Sequence, residues 1–138
     1  MLKNTLQSYG LIARLLHWTM AILILGMIGM GYVLIQMPPS DLRSSLFGIH
    51  KATGLLILVL VSCRLLWRYH NVTPLTPNTI PPWQRSLAKL NIFTLYSLMF
   101  LVPVSGLGGA LFGGYPLSFY GLFTIPSLTK NPKIASYF

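Results

Sequence analysis

The chain contains no glutamate, a single aspartate (Asp41) and a single cysteine (Cys63) in 138 residues. Each shortage removes a class of function. Without paired carboxylates there is no general acid–base dyad and no oxygen-rich site for a hard cation. One cysteine closes no intrachain disulfide, and no Cys/His spacing suited to zinc is present. Charge of either sign is scarce: charged residues make up 8% of the chain, against about 25% in soluble domains. Hydrophobic residues make up 54%, and the mean hydropathy is +0.66. Eleven charges cannot clothe a water-soluble globule of this size, and disorder requires the opposite composition. The composition is that of a small, single-domain integral membrane protein.

What charge there is carries one sign, giving a net +9. The ten basic residues do not form a concentrated surface of the kind that grips phosphate backbones, so a nucleic-acid partner is not expected. They stand at the ends of apolar runs, where anchoring and orienting charges of membrane helices belong. Three runs are long enough to matter, and they predict spans over about 15–37, 46–69 and 90–111, with 112–138 left as loop and tail. The first is free of charge from Leu15 to Ser40, and Pro38-Pro39 ends it. The second has a charge-free core of only 12 residues, Ala52 to Cys63, shouldered by Lys51 and Arg64, which can snorkel to opposite headgroup layers. Between spans two and three lies a Pro-rich extended connection, Asn71 to Pro82, followed by an interfacial lead-in over 83–89. Pro103 falls inside the third span, as bundled membrane helices tolerate. The apolar stretch after Tyr115 is broken by Pro126 and Pro132 and reads as a re-entrant or interfacial loop. With Met1 in the cytoplasm, Lys3, Arg14, Arg64, Arg68, Arg85 and Lys89 lie inside. Arg43, Lys51, Lys130 and Lys133 then lie outside, a modest positive-inside bias.

Ionisable groups at membrane depth are costly and functional by default. His17 opens span one and His50 opens span two, so antiparallel spans set the two imidazoles near opposite faces. Neither has an acid beside it. Two readings stay open on spacing alone: axial ligation of haem iron, or structural hydrogen bonding in the core. Gly54, one turn after His50, clears space for a macrocycle on the first reading, and Gly26, Gly29 and Gly31 serve close helix packing on the second. His70 lies among polar residues at the end of span two and reads as an exposed, non-functional side chain.

Several runs resemble the bacterial cytochrome b561 family of small di-haem membrane electron carriers. These are Tyr9 with Arg14-Leu15-Leu16-His17-Trp18; Gly48-Ile49-His50-Lys51 with Gly54; Arg64-Leu65-Leu66-Trp67-Arg68; Leu95-Tyr96 with Pro103-Val104-Ser105-Gly106; and Gly114-Tyr115-Pro116 through Phe123. The resemblance covers essentially the whole chain. It implies an all-α membrane protein, three transmembrane helices of a four-helix cytochrome b bundle. It also implies His17 and His50 as axial ligands of two b haems. Arg14, Lys51, Arg64 and Arg68 become candidates for pairing with haem propionates, although anchoring at the interface suits them equally. Many members carry a histidine four residues before the third-helix tyrosine, where this chain has Ile92. The family's fourth helix carries two further histidines, and this chain stops where that helix should begin, which predicts partial haem binding or none. The implied function is electron transfer in the bacterial inner membrane, from a periplasmic one-electron donor to the quinone pool, in contact with lipid. A second chain that supplies the missing helix is a candidate partner. The alternatives are a non-catalytic remnant without stable haem and a membrane anchor for a redox partner.

Overall fold

In the computed structural model, residues 1–75 and 79–128 are described. Three helices follow one another, α1 (Leu11–Gln36), α2 (Asp41–His70) and α3 (Pro82–Phe112), and a short antiparallel hairpin, β1 (Leu117–Phe119) and β2 (Phe123–Ile125), closes the described chain. All three helices are long and apolar enough to cross a membrane. At 1.5 Å per residue the 30 residues of α2 extend about 45 Å, so both its ends stand in the headgroup layers flanking a ~30 Å hydrocarbon core. The Pro103 calculus is simple. Proline withdraws one backbone donor, yet α3 continues as one helix from Pro82 to Phe112. The helix also takes in residues 83–89, because Pro82 stands at its first turn, where a missing N–H costs nothing.

Local chemistry explains the α1–α2 corner. The Met37 amide closes α1 onto the Val33 carbonyl, and the two prolines that follow turn the chain away. The Ser40 hydroxyl then accepts from the Arg43 amide at 3.1 Å, and Asp41 sits in the first turn of α2, where a negative charge suits the helix dipole.

α2 is the central helix. It packs against α1 and α3, while those two hardly touch each other. The core is therefore a narrow seam rather than a globular interior. Met20 and Leu34 of α1, Ala52, Ile57 and Val61 of α2, and Ala110 of α3 are its buried members, with Val61 wholly inaccessible. Many large apolar side chains of α1 and α3, among them Ile22, Leu25, Ile28, Phe93, Leu98 and Leu101, are exposed and contact lipid in a membrane.

The segment after α3, expected as a re-entrant or interfacial loop, folds back as the hairpin. Leu117 is buried against α2, and the Tyr120 and Gly121 backbones both take positive φ, as a tight primed turn demands. Thr53 donates its one hydroxyl hydrogen to the Ile49 carbonyl at 2.9 Å, so in the 2.7 Å contact between Thr53 and Tyr120 the tyrosine O–H is the donor. Lys51 Nζ donates to the Pro116 carbonyl at 2.8 Å. At the opposite end the N-terminal segment docks on the α2–α3 connection: Asn4 donates to the Val72 carbonyl and the Leu75 amide to the Leu6 carbonyl. Gly10 is obligatory in that arrangement, because a Cβ there would collide with the backbone carbonyls of Leu2 and Lys3. Residues 130–138, with Lys130, Pro132 and Lys133, lie outside the described residues, as does Pro77.

Candidate functional site: two clefts, each with one imidazole

Two clefts open along the same stripe of α2. Arg43, Phe47, His50, Gly54, Ile57, Val61, Arg64 and Arg68 recur at helical spacing, so one face of α2 runs past both.

The first cleft, about 240 Å³, lies between the C-terminal half of α1 and the N-terminal part of α2. Gly31, Leu34, Ile35, Arg43, Phe47 and His50 line it. Gly31 stands directly beside the imidazole; a Cβ there would lie 3.5 Å from His50 Cε1. The His50 Nδ1 atom is buried and has no hydrogen-bond partner, a condition that needs an explanation in a native structure.

The second cleft, about 340 Å³, lies at the other end, with α2 as its floor and α1 and α3 as its walls. His17, Arg14 and Trp18 come from α1, Arg64, Trp67 and Arg68 from α2, and Ile92, Leu95, Tyr96 and Met99 from α3. Asn4, Tyr9 and Thr73 close its outer end. The Arg64 guanidinium lies 5.8 Å from the centre of the Tyr96 ring, and His17 meets the Trp18 ring at 5.5 Å between centroids. This cleft falls within the size range of small-molecule sites, about 300–1,000 Å³.

The structure thus gathers four of the candidate residues, Arg14, His17, Arg64 and Arg68, into one cleft. It separates the others. Lys51 lines neither cleft: its ammonium donates to the hairpin and lies over the Phe47 ring. Gly54 lines neither as well; the nearest atom to a Cβ there is Met27 Cε at 4.0 Å, so this glycine admits an α1 side chain. His70 is exposed, edge-on to Tyr69. Arg43 is the residue that sequence reasoning passed over. Its signal was there, seven residues before His50 and on the same helical face.

The donor set narrows the chemistry. The described residues include every His, Cys and acid of the chain, and they contain no group of three such side chains able to hold a bare metal ion. A cleft with one imidazole, apolar walls and arginines at its mouth fits a ligand that brings its own metal donors and a carboxylate-bearing edge. Residues 8–134 match the family model described as prokaryotic cytochrome b561. Over 125 residues the chain is 30% identical to cytochrome b561 homolog 2 of Escherichia coli (strain K12), covering 90% of this chain and 66% of that protein. With α1, α2, α3 and the hairpin all inside the matched region, this chain belongs to the prokaryotic cytochrome b561 family.

Proposed function

We propose that this chain carries single electrons between the two faces of the bacterial inner membrane through b-type haem, from a periplasmic one-electron donor to the quinone pool. The observation that carries the reading is the placement of one imidazole in each of two clefts at opposite ends of α2. His50 and Arg64 are 14 residues apart on that helix, which sets the clefts about 21 Å apart along its axis. Haem iron supplies a reversible one-electron couple when bound, tuned by its axial ligands and burial. The protein's residues do the rest. His17 and His50 offer neutral imidazole nitrogens. Gly31 leaves the flank of His50 free of a side chain. Arg14, Arg64 and Arg68 offer guanidinium groups suited to bidentate carboxylate pairing at the mouth of the His17 cleft.

In each cleft one arginine stands nearer the end of the helix than the imidazole that the same helix carries. Arg14 precedes His17 towards the start of α1, and Arg43 precedes His50 towards the start of α2. That polarity matches an apolar, disc-like ligand whose anionic edge faces the headgroups. The test is a reduced-minus-oxidised spectrum of membranes holding the chain together with a separate segment that supplies a helix bearing two histidines. A low-spin b-type signal is expected in that combination. Its absence, with both pieces inserted, overturns the reading.

Orientation forms part of the proposal. The positive-inside bias puts Met1 in the cytoplasm, and three spans put Phe138 on the other side. A reporter active only in the cytoplasm is therefore expected to be silent when fused after Phe138 and active when fused before Met1. The reverse pattern inverts the assignment of the two clefts to the two faces.

A further inference from the structure

We propose that Arg43, and not Lys51, is the cation that receives the carboxylates of the group ligated by His50. The inference rests on the haem reading above and deepens it at one cleft. Lys51 is the residue that adjacency to His50 favours, and the structure shows it committed elsewhere. Its Nζ donates to the Pro116 carbonyl at 2.8 Å and lies over the Phe47 ring, 5.8 Å from the ring centre. Releasing it costs the hairpin an anchor.

Arg43 has the opposite circumstances. It lines the His50 cleft, half-buried, and its Nε donates to the Leu34 carbonyl at 3.1 Å, in the last turn of α1. That bond leaves the two Nη groups to face an acceptor while fixing the root of the fork. It also sets a positive charge at the negative end of the α1 dipole, which has no basic residue of its own in the last turn. No ion pair joins Arg43 to a described residue, although Asp41, the chain's sole acid, is two positions away. The seven residues from Arg43 to His50 correspond to about 10 Å along the helix, with Arg43 on the headgroup side. A ligand whose centre meets His50 and whose carboxylates point outward meets Arg43 first. The His17 cleft repeats the arrangement with Arg14, one turn before His17 on α1, so each site has a guanidinium nearer the helix start than its imidazole.

The experiment uses the full chain in detergent with His17→Ala, which isolates the His50 side, together with the separate segment that supplies a helix bearing two histidines. Haemin and its dimethyl ester, which lacks free carboxylates, are titrated separately and followed by the Soret shift. The parent is expected to prefer haemin to the ester by about tenfold, the range of a charge-assisted carboxylate pair. Arg43→Gln is expected to erase the preference while leaving the ester's affinity unchanged, which also shows that the fold is intact. Arg43→Lys is expected to retain part of it, and Lys51→Gln all of it. Full preference in Arg43→Gln, or its loss in Lys51→Gln, overturns the proposal while the haem reading stands. Adding His50→Ala separates the two: if both ligands still bind with the parent's Soret shift, binding does not run through His50 and the haem reading fails as well.

Discussion

Replacing His17 or His50 by alanine is expected to remove one cofactor each, and only one, from the chain complemented with a helix bearing two histidines. Each variant should lose about half of the b-type absorbance, because each cleft holds a single imidazole. The clefts are about 21 Å apart along α2, beyond the 7–10 Å over which neighbouring substitutions usually couple, so the double variant should lose the sum. Either single variant should abolish electron transfer across the membrane, since the remaining site leaves most of the ~30 Å core uncrossed. His70→Ala is the internal control. That side chain is exposed beside Tyr69 and lines neither cleft, so its loss should change neither haem content nor spectrum.

The same ligand arithmetic sets the expectation for the 138-residue chain by itself. Two low-spin bis-imidazole sites need four imidazoles. The chain has three, of which two lie in clefts. Alone it should hold haem weakly, in high-spin form, or not at all. Two stoichiometric low-spin haems in the isolated chain would mean that other side chains complete the sites. Unchanged spectra in both His→Ala variants would return the histidines to a structural role.

The sequence made some of this legible, and the reasons it stopped are physical. Charge-free runs bounded by Lys and Arg announce membrane helices because a buried charge is so costly, and α1, α2 and α3 lie where those runs lie. Their C-terminal ends agree to within a residue, but their N-terminal ends were read short, the first and third because the reading stopped at Arg14 and Lys89, charges that the helices carry outward into the headgroup layers. The two histidines stood out because little else in the chain is ionisable. Partners were harder. In a membrane helix nearly every face is apolar, so no amphipathic stripe says which side meets protein. Gly54 and Gly31 look alike in sequence, yet one receives Met27 and the other stands beside His50. Lys51 seemed available because its partner, the Pro116 carbonyl, is 65 residues away in a hairpin whose short apolar strands give no periodic signal of their own.

Gly31 offers the sharpest steric test of the His50 cleft. An alanine there places its Cβ 3.5 Å from His50 Cε1, an ordinary contact, and gains helix propensity of about 1 kcal/mol over glycine. Gly31→Ala should therefore insert normally and keep both cofactors. Leucine is different, because its further carbons have nowhere to go but the 240 Å³ cleft that Gly31 lines with His50, Phe47 and Arg43. Gly31→Leu should empty the His50 side and leave the His17 side loaded, halving the haem per chain. Gly26 and Gly29, on the same helix, supply the control: a Cβ at either meets nothing within 4 Å, so Gly26→Leu and Gly29→Leu add a lipid-facing side chain of the kind α1 already carries at Ile22, Leu25 and Ile28. Haem stoichiometry measured on the three leucine variants decides the matter. Loss confined to Gly31→Leu locates the cofactor in the cleft beside His50, and full loading in all three would put it somewhere else.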